Sequence, residues 1–233
     1  MLNFKQRSLE KELLDNNLVP FEDIRQNLIE LNTINSLLGG HKITLDGIKS
    51  FIRNHNEPII IVEIGCGGGD NLFVIENFLK KKKIKFQLIG IDIKQECIDY
   101  ARQQYPSIRF ICSDYREAVL DTKPDIMFSS LFCHHFSNIE LVSMLQYMYE
   151  HSKKGFFIND LERNRLAYFL IQFLTSIFSK SYLVKNDAPL SVARSFVKED
   201  WINLFHLASI SSYQISWKWA FRYLVIVKSS ESL

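Results

Sequence analysis

The chain lacks the compositional extremes that would set it apart from ordinary globular proteins. Its 28 basic and 26 acidic residues leave a net charge of only +2, which does not call for a nucleic-acid partner. It has no internal repeat and no low-complexity segment, and with 47% hydrophobic residues it is too apolar for a disordered chain. A length of 233 residues predicts one structural domain with a complete core.

Cysteines, targeting signals and long hydrophobic runs are also scarce. The four cysteines form no C-x-x-C pair, so we expect reduced thiols, no metal site and a cytoplasmic setting. The N-terminus is too charged for a secretory signal. The apolar segment 166–178 is shorter than the roughly 20 residues that span a bilayer. We interpret it as a buried helix; a lid over a substrate pocket and an interfacial membrane helix are the alternatives.

The most informative stretch is IIIVEIGCGGGDN at residues 59–71, an apolar strand that runs into a glycine-rich turn. Glycines at 65, 67 and 69 allow a sharp turn and a close approach of the backbone to a ligand. A dinucleotide fingerprint, G-x-G-x-x-G, would need a third glycine where Asp70 stands. Glu63, inside the end of the strand, suits a cationic ligand better than a pyrophosphate.

Further strands follow, each with polar side chains at its end. FQLIGID (86–92) ends at Asp92, IRFIC (108–112) is followed by Ser113 and Asp114, and DIMFSSL (125–131) leads to two histidines. If these strands are parallel, their carboxyl ends meet at one edge of a sheet, which is where open α/β sheets bind ligands. The order and spacing of these elements are more specific than any one of them.

Over about 110 residues this pattern resembles the class I S-adenosylmethionine-dependent methyltransferases, of the small-molecule type. The resemblance implies S-adenosylmethionine as the cofactor and S-adenosylhomocysteine (SAH) as its product. It implies that Asp92 binds the ribose hydroxyls and Asp114 the adenine amine. The cofactor-binding residues expected from it are Glu63, Gly65, Cys66, Gly67, Asp92, Ile93, Ser113, Asp114, Tyr115 and Ser130.

The expected fold is α/β: a Rossmann-like, doubly wound, seven-stranded, mostly parallel sheet with an antiparallel last strand. Residues 1–57 are predicted to form an N-terminal helical cap, because apolar residues recur every three or four positions between 21 and 38. Residues 58–233 form the cofactor-binding domain, with a helical insertion at about 161–200. The alternating segment 213–223 and the run 224–227 suit the last two strands, although no Gly, Pro or Asn marks their turn. Trp217 and Trp219 are interpreted as core residues.

His134 and His135 follow the fourth strand, at the edge where a methyl acceptor should lie. Histidine is the usual general base near neutral pH, and a hydroxyl acceptor needs one. His135, one residue deeper in the loop, is the first choice; the alternative is that either histidine only packs or caps a helix. Asp160, Glu162 and Arg163 after the fifth strand could orient an acceptor or merely pair with one another on the surface.

The acceptor is narrowed mainly by missing motifs. Methyltransferases that act on base amino groups carry an Asn/Asp-Pro-Pro-Tyr/Phe motif after the fourth strand, where this chain has SSLFCH. The sequence also contains no basic-aromatic patch. Both observations disfavour a nucleic-acid substrate. The expected reaction is O-methylation of an apolar or aromatic small molecule, and an oligomer is possible. The alternatives are a non-catalytic protein that keeps the nucleotide fold for binding or as a scaffold, and an NAD(P)-dependent oxidoreductase.

Overall fold

A computed structural model describes residues 4–15, 19–52 and 58–229. Its centre is a seven-stranded sheet in the order β3-β2-β1-β4-β5-β7-β6. The strands are β1 Ile59–Ile64, β2 Phe86–Asp92, β3 Arg109–Cys112, β4 Ile126–Ser130, β5 Gly155–Leu161, β6 Tyr213–Lys218 and β7 Arg222–Lys228. β1 to β5 pair in parallel, whereas β7 runs antiparallel to both β5 and β6. The expected sheet, with its antiparallel last strand, is confirmed.

Helices cover both faces of the sheet. They are α1 Phe21–Leu37, α2 Gly40–Lys49, α3 Asp70–Lys82, α4 Gln95–Gln104, α5 Asn138–His151, α6 Arg165–Phe178, α7 Tyr182–Arg194 and α8 Lys198–Leu207, with 3₁₀ turns at Leu13–Asp15 and Cys133–His135. Successive β1 side chains enter opposite core layers: Ile61 joins the cluster containing Leu72 and Ile75, and Val62 joins the cluster of Met144 and Trp201. This alternation explains why the strand sequences are almost continuously apolar.

The chain order places a topological switch point between β1 and β4. From β1 the chain winds outward to β2 and β3, then returns to the other side of β1 with β4. The loops that leave β1 and β4 therefore diverge above the sheet and open a crevice at the carboxyl edge. α5 begins beside it with a capping box, in which Ser137 and Glu140 bond each other's backbone N–H groups.

The N-terminal region is only partly helical. α1 and α2 are separated at Gly39, whose φ of 77° is left-handed, a conformation that glycine adopts readily. Residues 4–12 form no helix, so the expectation of a helical region throughout 1–57 was too broad. Parts of this predicted region, at 1–3, 16–18 and 53–57, lie outside the described residues. The division into an N-terminal cap and a binding domain stays a prediction.

The apolar segment 166–178 does form a helix, α6, but the prediction that it is buried was wrong. Among its residues only Ala167 and Thr175 are buried, and Phe173 is 60% exposed. The apolar stripe of this helix faces away from the protein, which periodicity cannot reveal because it gives the face but not its direction. Within the described ranges, no helix has both the length and the hydropathy needed to cross a membrane.

The turn between β6 and β7 is made without glycine. Ala220 and Phe221 adopt positive φ angles of 62° and 56°, a conformation that L residues rarely take. This substitution of ordinary residues for turn formers explains why the turn could not be located in the sequence. Trp217 and Trp219, expected in the core, are 53% and 73% exposed, so that expectation was wrong.

Candidate functional site

A cavity of about 1010 Å³ lies at the carboxyl edge of the sheet, above the switch point. This volume is at the upper end of the roughly 300–1,000 Å³ typical of small-molecule sites. Its wall includes all twelve residues predicted from the sequence for the cofactor and for catalysis. Part of the apolar stripe of α1 also lines it, through Leu28, Leu31, Ile34 and Leu38.

The turn after β1 brings backbone to the cavity surface. Gly65 and Gly67 have φ angles of 70° and 49°, and a side chain at Gly65 would collide with the ring of Phe132. The N–H of Gly67 donates to Oδ2 of Asp92 over 2.9 Å, and Lys94 N donates to Oδ1 over 2.9 Å. The carboxylate of Asp92 therefore couples the end of β2 to the glycine turn. Burial raises the pKa of Asp92, although these amide donors oppose the shift.

Glu63 is fully buried beneath the turn. Its Oε1 accepts from Nδ2 of Asn71 over 2.9 Å, and its Oε2 has no hydrogen-bond partner among the described residues. Burial, and then the neighbouring Asp70, raise the pKa of Glu63 well above its ordinary value. A buried carboxylate oxygen without a donor is costly, so this position is suited to a ligand that brings positive charge or a hydrogen.

A buried cation lies in the same wall. Arg222, at the start of β7, donates from Nη2 to Oδ1 of Asn35 over 2.8 Å. Its Nε and Nη1 have no hydrogen-bond partner in the described part of the chain, and neither does Oδ2 of Asp70, which lies 3.5 Å from Nε2 of His41. Burial lowers the pKa of Arg222 to about 10. Unpaired donors and acceptors of opposite charge thus coexist in this part of the cavity, a pattern that matches a zwitterionic group.

The remaining predicted cofactor residues line the cavity and differ in their burial and in their hydrogen-bond partners. Asp114 is held by Arg116 at 2.5 Å, which lowers the pKa of Asp114. Cys66 is buried, and burial raises the pKa of its thiol. The hydroxyl of Ser130 is buried without a partner among the described residues, whereas Ile93 is 70% exposed at the rim. Ser113 and Tyr115 flank Asp114 in the wall.

His134 is completely enclosed by acidic partners. Its Nδ1 lies 2.8 Å from Oδ1 of Asp160, and its Nε2 lies 3.5 Å from Oε1 of Glu12. Burial alone would lower the pKa of His134, but Asp160 and Glu12 outweigh it and raise that pKa to about 9. The same contacts hold the pKa values of Asp160 and Glu12 below their ordinary range, against the effect of burial. Asp160 and Glu12 therefore hold the His134 ring in place and favour its charged form.

His135 is the more accessible of the two histidines. Its side chain is 21% exposed, and its Nδ1 lies 3.2 Å from Oδ1 of Asp15, while its Nε2 lies 3.8 Å from Oε2 of Glu12. The second of these distances is too long for a hydrogen bond. The aspartate thus holds one ring nitrogen, while the other nitrogen makes no hydrogen bond to Glu12. This arrangement orients a histidine for proton transfer.

Two arginines fix the N-terminal segment against this histidine loop. Arg7 donates to the carbonyl oxygens of His134, Phe136 and Arg194, over 3.2, 2.8 and 2.7 Å. Arg194 donates to the carbonyl of His135 over 2.8 Å, and also to the carbonyl of Glu10. These bonds bring the acidic side chains of the segment into the cavity.

Sequence reasoning missed Glu12, Asp15, Arg194 and Arg222 as site residues. No periodicity or motif connects them with the histidines, which lie some 120 residues from Asp15 along the chain. Of the two alternatives for Asp160, Glu162 and Arg163, pairing with one another on the surface is wrong, whereas a role in orienting the acceptor stays a prediction. Asp160 bonds His134, Arg163 bonds Asp200 at 2.8 Å, and Glu162 accepts from the indole of Trp217.

Glu12, His134 and His135 are close enough to one another to share a metal ion. Arg194 already stands 4.0 Å from Oε1 of Glu12, and Ser191 donates to the same oxygen over 2.7 Å. These contacts supply charge and hydrogen bonds to Glu12 without an ion. That no metal is bound stays a prediction.

Comparisons with known proteins agree with this geometry. Residues 61–155, less than half of the chain, match the family model described as a methyltransferase domain. Over 90 residues the chain is 32% identical to 235L of Invertebrate iridescent virus 6, which carries a methyltransferase name; the match covers 34% of this chain and 32% of the viral protein. Over 78 residues it is 30% identical to trans-aconitate 2-methyltransferase of Acidovorax sp. (strain JS42), covering 33% of this chain and 28% of that protein.

The chain thus spans about a third of the length of the curated relatives that it matches. Among solved structures, the plantazolicin methyltransferase BpumL in complex with SAH is similar with a TM-score of 0.63 and 18% identity, over 88% of each chain. The CMeT domain of the citrinin polyketide synthase is similar with a TM-score of 0.54 and 13% identity, over 77% of this chain and 48% of that one. At these identities the likeness concerns the fold.

Proposed function

Because the chain carries a class I S-adenosylmethionine-dependent methyltransferase domain, we propose that it transfers a methyl group from S-adenosylmethionine to a hydroxyl of an apolar or aromatic small molecule. The observation that carries the proposal is the buried Glu63 carboxylate, whose Oε2 lacks a partner in the described chain and lies in the wall of a cavity large enough for two ligands. Such an oxygen suits the positive charge that this donor brings.

The charges and hydrogen-bonding groups of the cavity residues match those of the donor. Glu63 would accept from the ammonium of the methionyl group, and the free Nε and Nη1 donors of Arg222 would meet its carboxylate. Asp92, already fixed by Gly67 and Lys94, would accept from the ribose hydroxyls. Asp114 would accept from the adenine amine at the far end of the cavity. When bound, the donor supplies a methyl group activated by its sulfonium.

On the acceptor side, the chain has to align a hydroxyl, exclude water and remove one proton. We assign the proton to Nε2 of His135, with Asp15 orienting the ring through Nδ1. His134 is assigned a positioning role, since both of its ring nitrogens face carboxylates within a fully buried cluster. Leu28, Leu31 and Ile34 of α1 add an apolar wall to the cavity, which suits an apolar or aromatic acceptor.

The alternatives are less well supported. For an NAD(P)-dependent oxidoreductase, the buried carboxylates of Glu63 and Asp70 would face a pyrophosphate with like charge. A non-catalytic binding or scaffold protein remains an outcome of the test, because its cofactor site would be the same. A nucleic-acid acceptor is less well supported, because the sequence contains no basic-aromatic patch. The four free cysteines suit a cytoplasmic setting.

The test is transfer of tritium from methyl-labelled S-adenosylmethionine to a panel of alkylphenols, hydroxyquinones, alkyl carboxylic acids and amines. Labelled methyl ethers formed from the phenols or hydroxyquinones, without labelled products from the amines, would support the proposal. Label only in esters or amines would contradict the O-methylation of a phenol-like hydroxyl. Binding of SAH without transfer to any member of the panel would favour the scaffold alternative.

The role of Arg222 has a separate test, which needs no acceptor. Arg222→Met should weaken SAH at least about tenfold while leaving the affinity for 5′-methylthioadenosine, which has no amino-acid group, nearly unchanged. An equal loss for both ligands would mean that the substitution disturbs the site as a whole. No loss for SAH would remove Arg222 from the cofactor site.

A further inference from the structure

α6 presents an unusually apolar surface to the outside of the molecule. Its exposed apolar side chains are Leu166, Phe169, Leu170, Phe173, Leu174, Ile177 and Phe178. They repeat at three and four residues and therefore form one continuous stripe along a helix about 21 Å long. The most exposed of them, Phe178, is 77% accessible. Exposed stripes of this size mark a surface that is covered by another body.

The chemistry of the stripe suits hydrocarbon better than protein. Every one of its side chains is aliphatic or phenyl, and none carries a polar tip. Protein interfaces rely on Trp, Tyr and Arg anchors and on about one hydrogen bond per 100–200 Å². Beside the stripe, the hydroxyl of Ser176 is already satisfied by the carbonyl of Phe173. Apart from Arg165 at its start, the half-buried Tyr168 and Gln172, α6 therefore offers a partner protein little polar recognition.

Charge at the ends of the helix points in the same direction. Between Glu162 and Asp187 the chain contains no acidic residue, whereas Arg165 precedes the stripe and Lys180 and Lys185 follow it, all exposed. The nearby carboxylate of Glu30 is occupied by the backbone N–H groups of Lys180 and Ser181. An apolar stripe with exposed cations at its two ends is complementary to a bilayer that contains anionic lipid.

A second copy of the chain is a poorer occupant. A standard interface buries about 800 Å² per partner. Two crossing helices of 14 residues touch mainly around the crossing point. The side chains at the two ends of the stripe, Leu166 and Phe178, would stay largely exposed in such a pair.

From these observations we infer that the exposed face of α6 docks on the surface of a lipid bilayer containing anionic lipid, without crossing it. The inner flank of the helix supplies Ala167 and Ile171 to the wall of the cavity, and Leu170 and Leu174, at the edge of the stripe, also reach that wall. One helix would then separate lipid from the candidate acceptor site, which suits an acceptor that partitions into membranes. The docking itself rests on no step of the proposed methyl transfer.

The experiment is co-sedimentation of the full chain with vesicles of phosphatidylcholine alone and of phosphatidylcholine mixed with phosphatidylglycerol. We expect the chain to bind the mixed vesicles more strongly, with a preference that decreases as salt rises. Phe169→Ser combined with Phe173→Ser should reduce binding at least about tenfold. Neither of these phenylalanines lines the cavity, so SAH affinity should not change and serves as the check on folding.

The control is Val119→Ser, which removes an even more exposed apolar side chain (79% accessible, against 60% for each phenylalanine) after β3 and should leave vesicle binding intact. Arg165→Gln with Lys180→Gln should lower binding to the mixed vesicles only. No sedimentation with either vesicle would overturn the inference. So would equal binding by the double phenylalanine variant, or a stable dimer in solution that this variant dissociates and that ignores lipid.

Discussion

The two halves of the cavity differ in how far their buried polar groups are hydrogen-bonded. In the first half, beneath the glycine turn and at the start of β7, Glu63, Asp70 and Arg222 keep buried polar atoms without hydrogen-bond partners in the described chain, although Oδ2 of Asp70 lies 3.5 Å from Nε2 of His41. In the half near the histidine loop, His134 and Asp160 are bonded to each other and to their surroundings. The polar groups of the first half are therefore available to a ligand, whereas those of the second half are bonded to one another. Buried groups without hydrogen-bond partners thus indicate where a ligand binds, and paired groups indicate what holds a reactive side chain.

The largest expected effect concerns the one member of the paired half that we consider reactive. His135→Ala should reduce methyl transfer by about 10²–10⁴-fold, the usual contribution of a general base. SAH affinity should change little, since the donor residues lie in the other half. Turnover and SAH binding are measured on the same preparation, with the surface variant His151→Ala as the control. Full turnover by His135→Ala would make the acceptor half purely structural.

A second prediction separates positioning from catalysis. Asp160→Asn leaves a buried charged histidine with a neutral neighbour and should lower the free energy of unfolding by about 3–5 kcal/mol. The raised pKa of His134 stabilises the fold below its unfolded pKa of 6.5, and this contribution is lost as the pH rises through about 9. Asp160, whose pKa is lowered, contributes above its unfolded pKa of 3.8 and loses that contribution as the pH falls.

Denaturant unfolding at several pH values measures this effect. The deficit of Asp160→Asn should be greatest between about pH 4 and 6.5, where both charges are present in the parent protein, and should narrow above pH 9. Asp121→Asn, a change in an exposed pair with Arg109, is the control and should cost less than about 1 kcal/mol. A deficit independent of pH would show that His134 is not charged in the folded protein.

The smallest effects sharpen the comparison within the donor half. Asp92→Ala removes the acceptor that is fixed by Gly67 and should weaken SAH by about 1–3 kcal/mol. Asp114 is engaged at the cavity rim by Arg116, so Asp114→Ala should cost less, about 1 kcal/mol or below. Calorimetric titration of both variants with SAH gives the ranking. The reverse order would indicate that the adenine contact, rather than the ribose contact, dominates binding.

The sequence predicted the donor half far better than the acceptor half, for a physical reason. The ends of consecutive parallel strands meet at one edge, so Glu63, Asp92 and Asp114 could be grouped from local patterns alone. Arg222 and Asp15 reach the same cavity only through the antiparallel last strand and through an N-terminal segment with little regular structure. Their contacts depend on how distant segments pack, which leaves no periodic signal.

α6 shows the same limit for the fold. The apolar run at residues 166–178 was interpreted as a helix, and the helix is present. Burial was inferred because the segment is apolar nearly all round, which is typical of a buried helix. Here the small side chain of Ala167 allows close packing on the inner side, and the large side chains remain outside. Local patterns fix the kind of element, whereas the direction of its faces is decided by tertiary packing.

If the donor half of the cavity is a site for S-adenosylmethionine, the purified chain should bind SAH. A calorimetric titration with SAH, with NADH as the parallel control, measures this directly. We expect saturable binding of one SAH per chain and no binding of NADH. Binding of NADH, or the absence of SAH binding at any accessible concentration, would contradict it and would leave Glu63 and Arg222 as buried charges without an explanation.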